Sequence, residues 1–363
     1  MSKLNWLLVF VPIAVVLECE GLNPIAVFLT SAAAIVPLAK LMEQATEALA
    51  HYLGPTYGGL LNATMGNAPE LIIGITALRH GLIEVLKGAI AGSVIGTLLF
   101  GVGVTMISGG LRKHVQHFDR DMAAINSALL MLGTFGLIIP ASFHFSATTD
   151  QDISIEISIV LLLIYLASIS HTMRTKRLVM GRPAVEAEMK EKGEPPQEVI
   201  TAEESPTWSR NLALGVLAAV AIALAFVSDL LTGSIQPAAD AVGLTPVFAG
   251  VFLLAMVGNI PQYMNSVAFA AKDQMTLALS INLGATTQLV TLVAPLLVIA
   301  GALMGLNMNL RFSNYELVGV ILSVIIARSV IGDASSTLLE GVFLVGVYLM
   351  LGFGFYHMPA GAP

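Results

Sequence analysis

The sequence predicts an all-α polytopic membrane protein of about eleven transmembrane helices, built as two inverted five-helix repeats plus an extra N-terminal helix. Three observations lead to this fold class: the composition, the placing of charges between apolar segments, and an internal repeat. Of the 363 residues, 56% are hydrophobic and only 11% are charged, and the mean hydropathy is +0.83. No water-soluble domain could bury this much apolar surface, so the bilayer must be the solvent for most of the chain.

Apolar segments separated by charges, glycine and proline mark the spans along the chain. We place them at 4–18, 23–41, 54–78, 86–110, 121–141, 153–171, 209–230, 242–270, 274–304, 314–332 and 336–357. The first segment is counted as a span and not as a cleaved signal peptide, because no small-residue cleavage site precedes Glu18 and Glu20. A single cysteine, Cys19, excludes an intramolecular disulfide.

The basic residues set the orientation, because Lys and Arg in connections stay on the cytoplasmic side of a membrane. With the N-terminus inside, only Arg79, Lys87 and Arg311 of the 17 basic residues fall on the outer side. The charged 172–208 connection is then a cytoplasmic linker. The absence of a targeting segment favours the plasma membrane of a prokaryote. Membrane lipid is the expected partner, no nucleic acid is expected, and the oligomeric state stays open.

The internal repeat divides the chain into four parts: an N-terminal transmembrane helix (1–20), a first five-helix repeat (21–171), the linker (172–208) and a second five-helix repeat (209–363). Placing Gly66 on Gly258 also aligns Gly92 with Gly284, without a gap. The two motif-bearing spans are the third and the eighth. Because they are an odd number of spans apart, they enter the membrane from opposite faces, as in the inverted repeats of secondary transporters.

The chemistry is concentrated in two motifs, Asn62–Ile73 and Gly258–Val267, which both place Gly-Asn, a spacer and proline in an apolar run. Glu70 is the only acidic or basic side chain between Tyr52 and Leu78. An ionisable group at membrane depth costs about 2.5–3.5 kcal/mol even on insertion scales. We therefore expect Glu70 to have a function.

Such a motif suits a dehydrated cation. A helix interrupted by glycine and proline exposes backbone carbonyls that are otherwise used in its own ladder. Asn67 and Asn259 add amide oxygens, and Ser93 and Gln288 on the following helices can complete the shell. A hard cation such as calcium takes six to eight oxygen ligands, preferably with carboxylate among them. A proton competes for the same carboxylate, which is the simplest form of exchange.

Several runs resemble the calcium/proton antiporter (CAX) family of the cation/calcium exchanger superfamily. The resemblance covers nearly the whole chain beyond the first helix, and its first-half blocks are the more specific. The matching runs are Ser31–Lys40, Glu43–Glu47, Gly54–Thr64, Gly66–Leu71, Lys272–Met275 and Gly332–Gly341.

The resemblance implies eleven helices in two inverted repeats, alternating access, and movement of calcium against protons. It implies that Glu70 binds the cation or the proton, that Gly66 and Asn67 belong to a kinked ligand loop, and that Ser93 and Gln288 lie on the adjoining helices. Glu43 and Glu47, one helical turn apart, are candidates for a cytoplasmic entrance. The metal is cargo, so no resident cofactor is expected.

The chain departs from the family pattern in its second half. Gln262 stands where the family has an acid, Tyr263 where it has a histidine, and Ala285 where it has a serine. No acidic or basic residue occurs in 241–271 or in 274–310. The second half-site is therefore neutral and rich in amides, with Asn259, Gln262, Asn265, Asn282 and Gln288 available. Because several neighbouring positions depart together, natural divergence explains Gln262 better than an engineered change.

One carboxylate leaves a divalent ion with net charge in a low-dielectric site, where charge costs several kcal/mol. Three readings follow: calcium carried with weaker affinity and altered stoichiometry, a monovalent cation (Na⁺ or K⁺) exchanged for protons, or cation binding without transport. A channel fits less well than a gated carrier. An enzyme is not expected, because the chain has no phosphate-cradling Gly-rich motif and no nucleophile constellation in a soluble domain.

Overall fold

A computed structural model of the chain describes residues 3–143, 147–180 and 208–359, and nearly all of them are helical. In the first half, a 3₁₀ turn at Lys3–Val9 leads into α1. The helices and strand that follow are α1 (Phe10–Cys19), α2 (Pro24–Met65), α3 (Ala68–Arg79), α4 (Ile83–Ile95), a π-helical segment (Gly96–Gly101), α5 (Val102–Gly110), β1 (Val115–His117), α6 (Arg120–Ser142) and α7 (Ala147–Met180).

The second half begins at Arg210 and ends its last helix at Tyr356. Its elements are α8 (Arg210–Ala241), a helical turn (Pro246–Phe248), a π-helical segment (Ala249–Leu254), α9 (Ala255–Ala270), α10 (Met275–Gln288), a π-helical segment (Leu289–Val293), α11 (Ala294–Leu303), α12 (Asn314–Ile331), β2 (Ser335–Thr337) and α13 (Leu338–Tyr356).

The all-helical membrane fold is confirmed. Within the described ranges, nine helices are long and apolar enough to cross a membrane, and a shorter apolar helix, Trp6–Cys19, precedes them. A further crossing is hidden in α2 and α3, because α2 is kinked at Gly54, whose φ is +74°. Only glycine adopts this left-handed conformation without strain. Residues 55–79 thus form a separate segment, and the total is consistent with eleven spans.

Matched irregularities show the inverted repeat in the backbone. The π-helical segment Gly96–Gly101 joins α4 to α5, and Leu289–Val293 joins α10 to α11. The alignment of Gly66 with Gly258 places these two segments within one residue of each other. The third π-helical segment, Ala249–Leu254, has no such counterpart, because the equivalent residues 57–62 lie in regular helix.

Three helices extend beyond the spans that the sequence predicts. The part of α2 before its kink continues past 41 to Leu53, α8 continues past 230 to Ala241, and α7 continues past 171 to Met180. The polar residues that end the predicted second span lie on one face of α2, while Met42, Ala45 and Leu49 on another face are at most 5% exposed. The linker residues 181–207 lie outside the described part of the chain.

Two large apolar cores and a small third one, around Ala48, Leu49 and Ala213, hold the described helices together. The first lies between α2 and α8, and includes Ile35, Leu224 and Leu231, which are fully buried. The second surrounds α4, α5, α10 and α11 and includes Leu98 and Leu279. A short antiparallel pairing of β1 with β2 joins the connection after α5 to the connection before α13.

Candidate cation site

The site is built around a break in the helix that crosses at residues 55–79. Helix α2 ends at Met65 and α3 begins at Ala68. Pro69 has no N–H, so the carbonyl of Met65 cannot receive the helical hydrogen bond from four residues ahead. The interruption that the sequence predicts is therefore present in the first motif. In the second motif, Pro261 lies inside the continuous helix α9, and the irregularity is the π-helical segment before it.

Glu70 lies in the first turn of α3, where the exposed N–H groups and the helix dipole favour negative charge. Its side chain packs against the bare backbone of Gly258, since a Cβ added there would lie 3.5 Å from the Glu70 Cγ. The Oε2 atom of Glu70 is buried and has no hydrogen-bond partner among the described residues. Glu70 also forms no ion pair within that part of the chain. The Oε2 of Glu70 is thus free to take a cation or a proton.

Two amide side chains beside Glu70 have their nitrogens anchored. The Asn67 Nδ2 donates to the backbone carbonyl of Ala285 (3.3 Å) and to the Oε1 of Gln288 (3.2 Å). The Gln262 Nε2 donates to the Oδ1 of Asn282 (3.4 Å). No donor of the described residues contacts the amide oxygens of Asn67 and Gln262, so these oxygens are available as ligands.

A cavity of about 1150 Å³ brings most of the predicted residues together. Its wall includes five of the seven predicted ligands and both predicted entrance residues: Gly66, Asn67, Glu70, Gln262, Gln288, Glu43 and Glu47. Gly258 and Gln262 are one turn apart on α9, so Gln262 lies on the same helix face that meets Glu70.

The mouth of the cavity carries a charged cluster that joins two helices. The Lys40 Nζ donates to the Glu43 Oε2 (2.9 Å) and to the Asn265 Oδ1 (2.7 Å). The Asn265 Nδ2 in turn donates to both oxygens of Glu43, at 2.7 and 2.8 Å. Glu47 is exposed nearby and lines the same cavity. The cluster therefore ties α2 to α9 at the mouth.

The other two predicted ligands, Ser93 and Asn259, contact each other and do not line the cavity. The Asn259 Nδ2 donates to the Ser93 Oγ (2.9 Å), and both residues are at most 5% exposed. They belong to a buried polar cluster that also includes Thr97, Tyr263, Thr105, Ser266 and Asn282.

Thr97 and Thr105 are not among the residues predicted for the site. Their signal is spacing, since Ser93, Thr97, Gly101 and Thr105 recur every four residues along one helix face.

The chemistry of the site depends on oxygens of different kinds. Among the described residues, no group of three or more His, Cys, Asp or Glu is placed to hold a metal ion. A cation at Glu70 would therefore be met by one carboxylate, by amide oxygens and by backbone carbonyls of the broken helix. Hard cations prefer such all-oxygen shells.

Comparison with known proteins identifies the family of the chain. The chain is 38% identical to a Ca(2+)/H(+) antiporter of Aphanothece halophytica, over 97% of this chain and 96% of that protein. It is 33% identical to the Ca(2+)/H(+) antiporter ChaA of Bacillus subtilis, over 98% of this chain and 99% of that protein. The native structure of YfkE is 29% identical and superimposes with a TM-score of 0.81, covering 98% of this chain and all of that chain.

A more distant structure, that of the H⁺/Ca²⁺ exchanger CAX, shares the fold at 12% identity with a TM-score of 0.71, covering 98% of this chain and 90% of that chain. The family model described as sodium/calcium exchanger protein matches once in each half, at residues 23–173 and 212–356. These matches confirm the resemblance to the calcium/proton antiporters. The chain is an integral membrane protein, and it belongs to the sodium/calcium exchanger protein family.

Proposed function

We propose that this protein is a secondary active cation/proton antiporter, that calcium is its main cation, and that Glu70 carries the cation and the proton in turn. The observation that carries the proposal is the Glu70 carboxylate, whose buried Oε2 has no hydrogen-bond partner among the described residues, in a cavity lined by available amide oxygens. A cation and a proton cannot occupy the same carboxylate oxygens together. Release of one therefore accompanies binding of the other.

Alternating access is the second part of the proposal. The cavity wall includes Asn126 near the start of α6, Ser280 near the start of α10, and the exposed Asn62. All three lie toward the side that the basic residues assign to the cytoplasm. The structure thus supports an inward-open state of a plasma-membrane protein whose N-terminus and 172–208 linker are cytoplasmic. The outward-open state would expose Glu70 to the other side.

Calcium is the first candidate because relatives across the whole length are named as Ca(2+)/H(+) antiporters. A monovalent cation is the second candidate, and a specific observation favours it. Gln262 is neutral where the repeat places the counterpart of Glu70, and one carboxylate balances one monovalent ion completely. Calcium at the same site keeps one net positive charge, which is costly in a low-dielectric environment.

The test uses proteoliposomes that contain a pH-sensitive dye, exposed in turn to calcium, manganese, sodium and potassium. Exchange moves protons when the cation is added. A channel would move the cation without protons, and a binding protein that does not transport would move neither. The cation that gives the fastest proton movement identifies the substrate.

Two variants locate the site in this assay. Glu70→Gln should reduce exchange more than about 100-fold, because a cation without its carboxylate costs several kcal/mol in this environment. The control is Glu84→Gln, which changes an exposed acid in the first turn of α4 and should leave exchange intact. Gln262→Glu should strengthen calcium exchange relative to sodium exchange. Full activity of Glu70→Gln would contradict the site assignment.

A further inference from the structure

We infer that Tyr263 fills the second half of the site, so that the protein binds one cation, at Glu70, and Ser93 and Asn259 do not touch it. This inference rests on the proposed function for its substrate, but its structural part can be tested without transport. It comes from comparing equivalent positions of the two repeats. The alignment of Gly66 with Gly258 pairs Asn67 with Asn259, Gln288 with Gly96, Leu289 with Thr97 and Leu71 with Tyr263.

The two asparagines share one donor contact and differ in the other, because Asn67 also donates to Gln288 of the opposite repeat and Asn259 to the carbonyl of Ala255 on its own helix. Asn67 donates to the backbone carbonyl of Ala285, while Asn259 donates to the Oγ of Ser93 (2.9 Å). Residues 93 and 285 are themselves equivalent. Each asparagine therefore contacts the same position of the opposite repeat, and the pseudo-symmetry is obeyed at this level.

The acceptor side differs. The Oδ1 of Asn259 accepts from the Thr97 Oγ1 (3.4 Å), which in turn lies 3.4 Å from the Tyr263 hydroxyl. Thr97 has a single hydroxyl proton, so the Tyr263 hydroxyl is the donor in the second contact. The equivalent of Thr97 in the other repeat is Leu289, which cannot donate. The oxygen of Asn67 thus stays available, whereas the oxygen of Asn259 is already occupied.

The space is also filled. In the first half of the site, Gln288 reaches Asn67 with its amide. At the equivalent place in the second half is Gly96, and a Cβ there would lie 3.0 Å from the Tyr263 hydroxyl. A Cβ at Gly101 would lie 2.7 Å from Cε1 of the same ring. The ring therefore occupies the room that two missing side chains leave.

Aromatic packing fixes the ring in this position. The Tyr263 ring lies 5.6 Å from Phe100, which lies 5.4 Å from Tyr348. Tyr263 is only 6% exposed, and it does not line the cavity. A buried, packed phenol with a satisfied hydroxyl leaves a cation no entry and no unsatisfied ligand on this side.

The structural test is chemical accessibility. In a Cys19→Ser background, Ser93→Cys should resist a small cationic thiol reagent applied to the purified full-length protein. Adding Tyr263→Ala should raise its reaction rate at least about tenfold, because removal of the ring opens a path from the cavity. Fast reaction of Ser93→Cys with Tyr263 in place would overturn the inference, and so would protection that survives Tyr263→Ala.

The functional test is selectivity. Tyr263→Phe removes the donor to Thr97 and leaves the Thr97 hydroxyl oxygen free to meet a cation, so the ratio of calcium to manganese exchange rates should change at least about fivefold. Tyr348→Phe is the matched control. The Tyr348 ring belongs to the same aromatic cluster, and its hydroxyl has no hydrogen-bond partner in the described part of the chain. The ratio of calcium to manganese exchange rates should therefore stay unchanged in this variant. An equal fall for both cations in Tyr263→Phe would indicate a structural role and overturn the inference.

Equilibrium dialysis with radioactive calcium completes the test and should give one ion per wild-type chain. Two ions per chain would overturn the inference while leaving the proposed exchange intact. Conversely, a wild-type protein that moves neither cations nor protons would refute the proposed function. The thiol experiment would still decide whether Tyr263 closes the second half of the site.

Discussion

Glu70 and its amide neighbours illustrate how single residues form a site across two repeats. Asn67 is fixed by the backbone of Ala285 and by Gln288, and Gln262 is fixed by Asn282. In both residues the hydrogen bonds hold the side-chain amide nitrogen, and the amide oxygen stays available to a cation. The same residue type would be a poor cation ligand if its oxygen were the anchored atom, so the surroundings decide its role.

Lys40 offers a prediction at this scale, because it offsets the charge of Glu43 at the mouth of the cavity. Lys40→Met should leave Glu43 and Glu47 uncompensated and attract divalent cations more strongly. We expect the half-saturating calcium concentration for exchange to fall about threefold or more at low ionic strength, and the difference to shrink at high salt.

Lys40→Arg serves as its control, since it keeps the charge and should behave as the wild type does. If the half-saturating calcium concentration of Lys40→Met at low salt equals that of the wild type, the mouth of the cavity does not concentrate cations. The exchange rate at saturating calcium reports separately whether the variant is folded.

Some of these residues could be found in the sequence and others could not. Glu70 is visible because a charge in an apolar run is costly, and Gln288 is visible through the repeat. The contact of Lys40 with Asn265 joins positions 225 residues apart, and no periodicity indicates it. Burial of Asn259 behind Tyr263 is equally hidden, because it depends on which side of α9 faces the cavity.

Among the helices, glycine permits the closest contact. Gly92 of α4 meets the π-helical segment Ala249–Leu254 so tightly that a Cβ would lie 2.1 Å from the carbonyl oxygen of Val251. Gly250 makes the reciprocal contact with the carbonyl oxygen of Val85, at 2.3 Å. Small residues allow helix backbones to approach in this way. None of these four residues lines the cavity.

Gly92→Ala should therefore force these segments apart and destabilise the protein by about 1–3 kcal/mol, the usual cost of overpacking. The neighbouring Gly88→Ala is a graded control, because its Cβ would lie 3.1 Å from the nearest backbone oxygen. Thermal unfolding of both variants in detergent checks the order, with Gly92→Ala melting lower. Equal melting temperatures would contradict the close contact.

The spans themselves follow from hydropathy, because lipid tolerates few charges. The extension of α2 to the kink at Gly54 does not follow from hydropathy. The polar face of this part of α2 borders the cavity, and its apolar face is buried by α8. Hydropathy averages the two faces and ends the span early. The break in the first motif was expected from Pro69, but the same sequence logic applied to Pro261 gave an interruption that α9 does not have.

For the whole molecule, the state of the cavity predicts which side reagents can reach. Asn126→Cys in a Cys19→Ser background should react with a membrane-impermeant maleimide from the cytoplasmic side only, because Asn126 lines the inward cavity. Val242→Cys, in the exposed connection after α8, should react from the other side only. Labelling in right-side-out and inverted vesicles measures both.

Reaction of Asn126→Cys from the outside alone would reverse the proposed orientation. The sequence supplies this orientation through its basic residues, but it contains no information on which conformation is populated. The inward-open and outward-open conformations of one chain have the same hydropathy pattern and the same internal repeat. Only the placing of the helices around Glu70 distinguishes them.

The reciprocal contacts of Asn67 with residue 285 and of Asn259 with residue 93 carry a consequence for the origin of the chain. Each asparagine donates a hydrogen bond to the opposite half, and Asn259 also donates to the carbonyl of Ala255 on its own helix (2.7 Å). A shorter ancestral polypeptide carrying a single repeat would have needed a sister molecule, inserted upside down in the same bilayer, to complete a working unit. Joined in one chain, the two copies are no longer bound to be identical, so one of them can hold Gln262 while the other keeps Glu70.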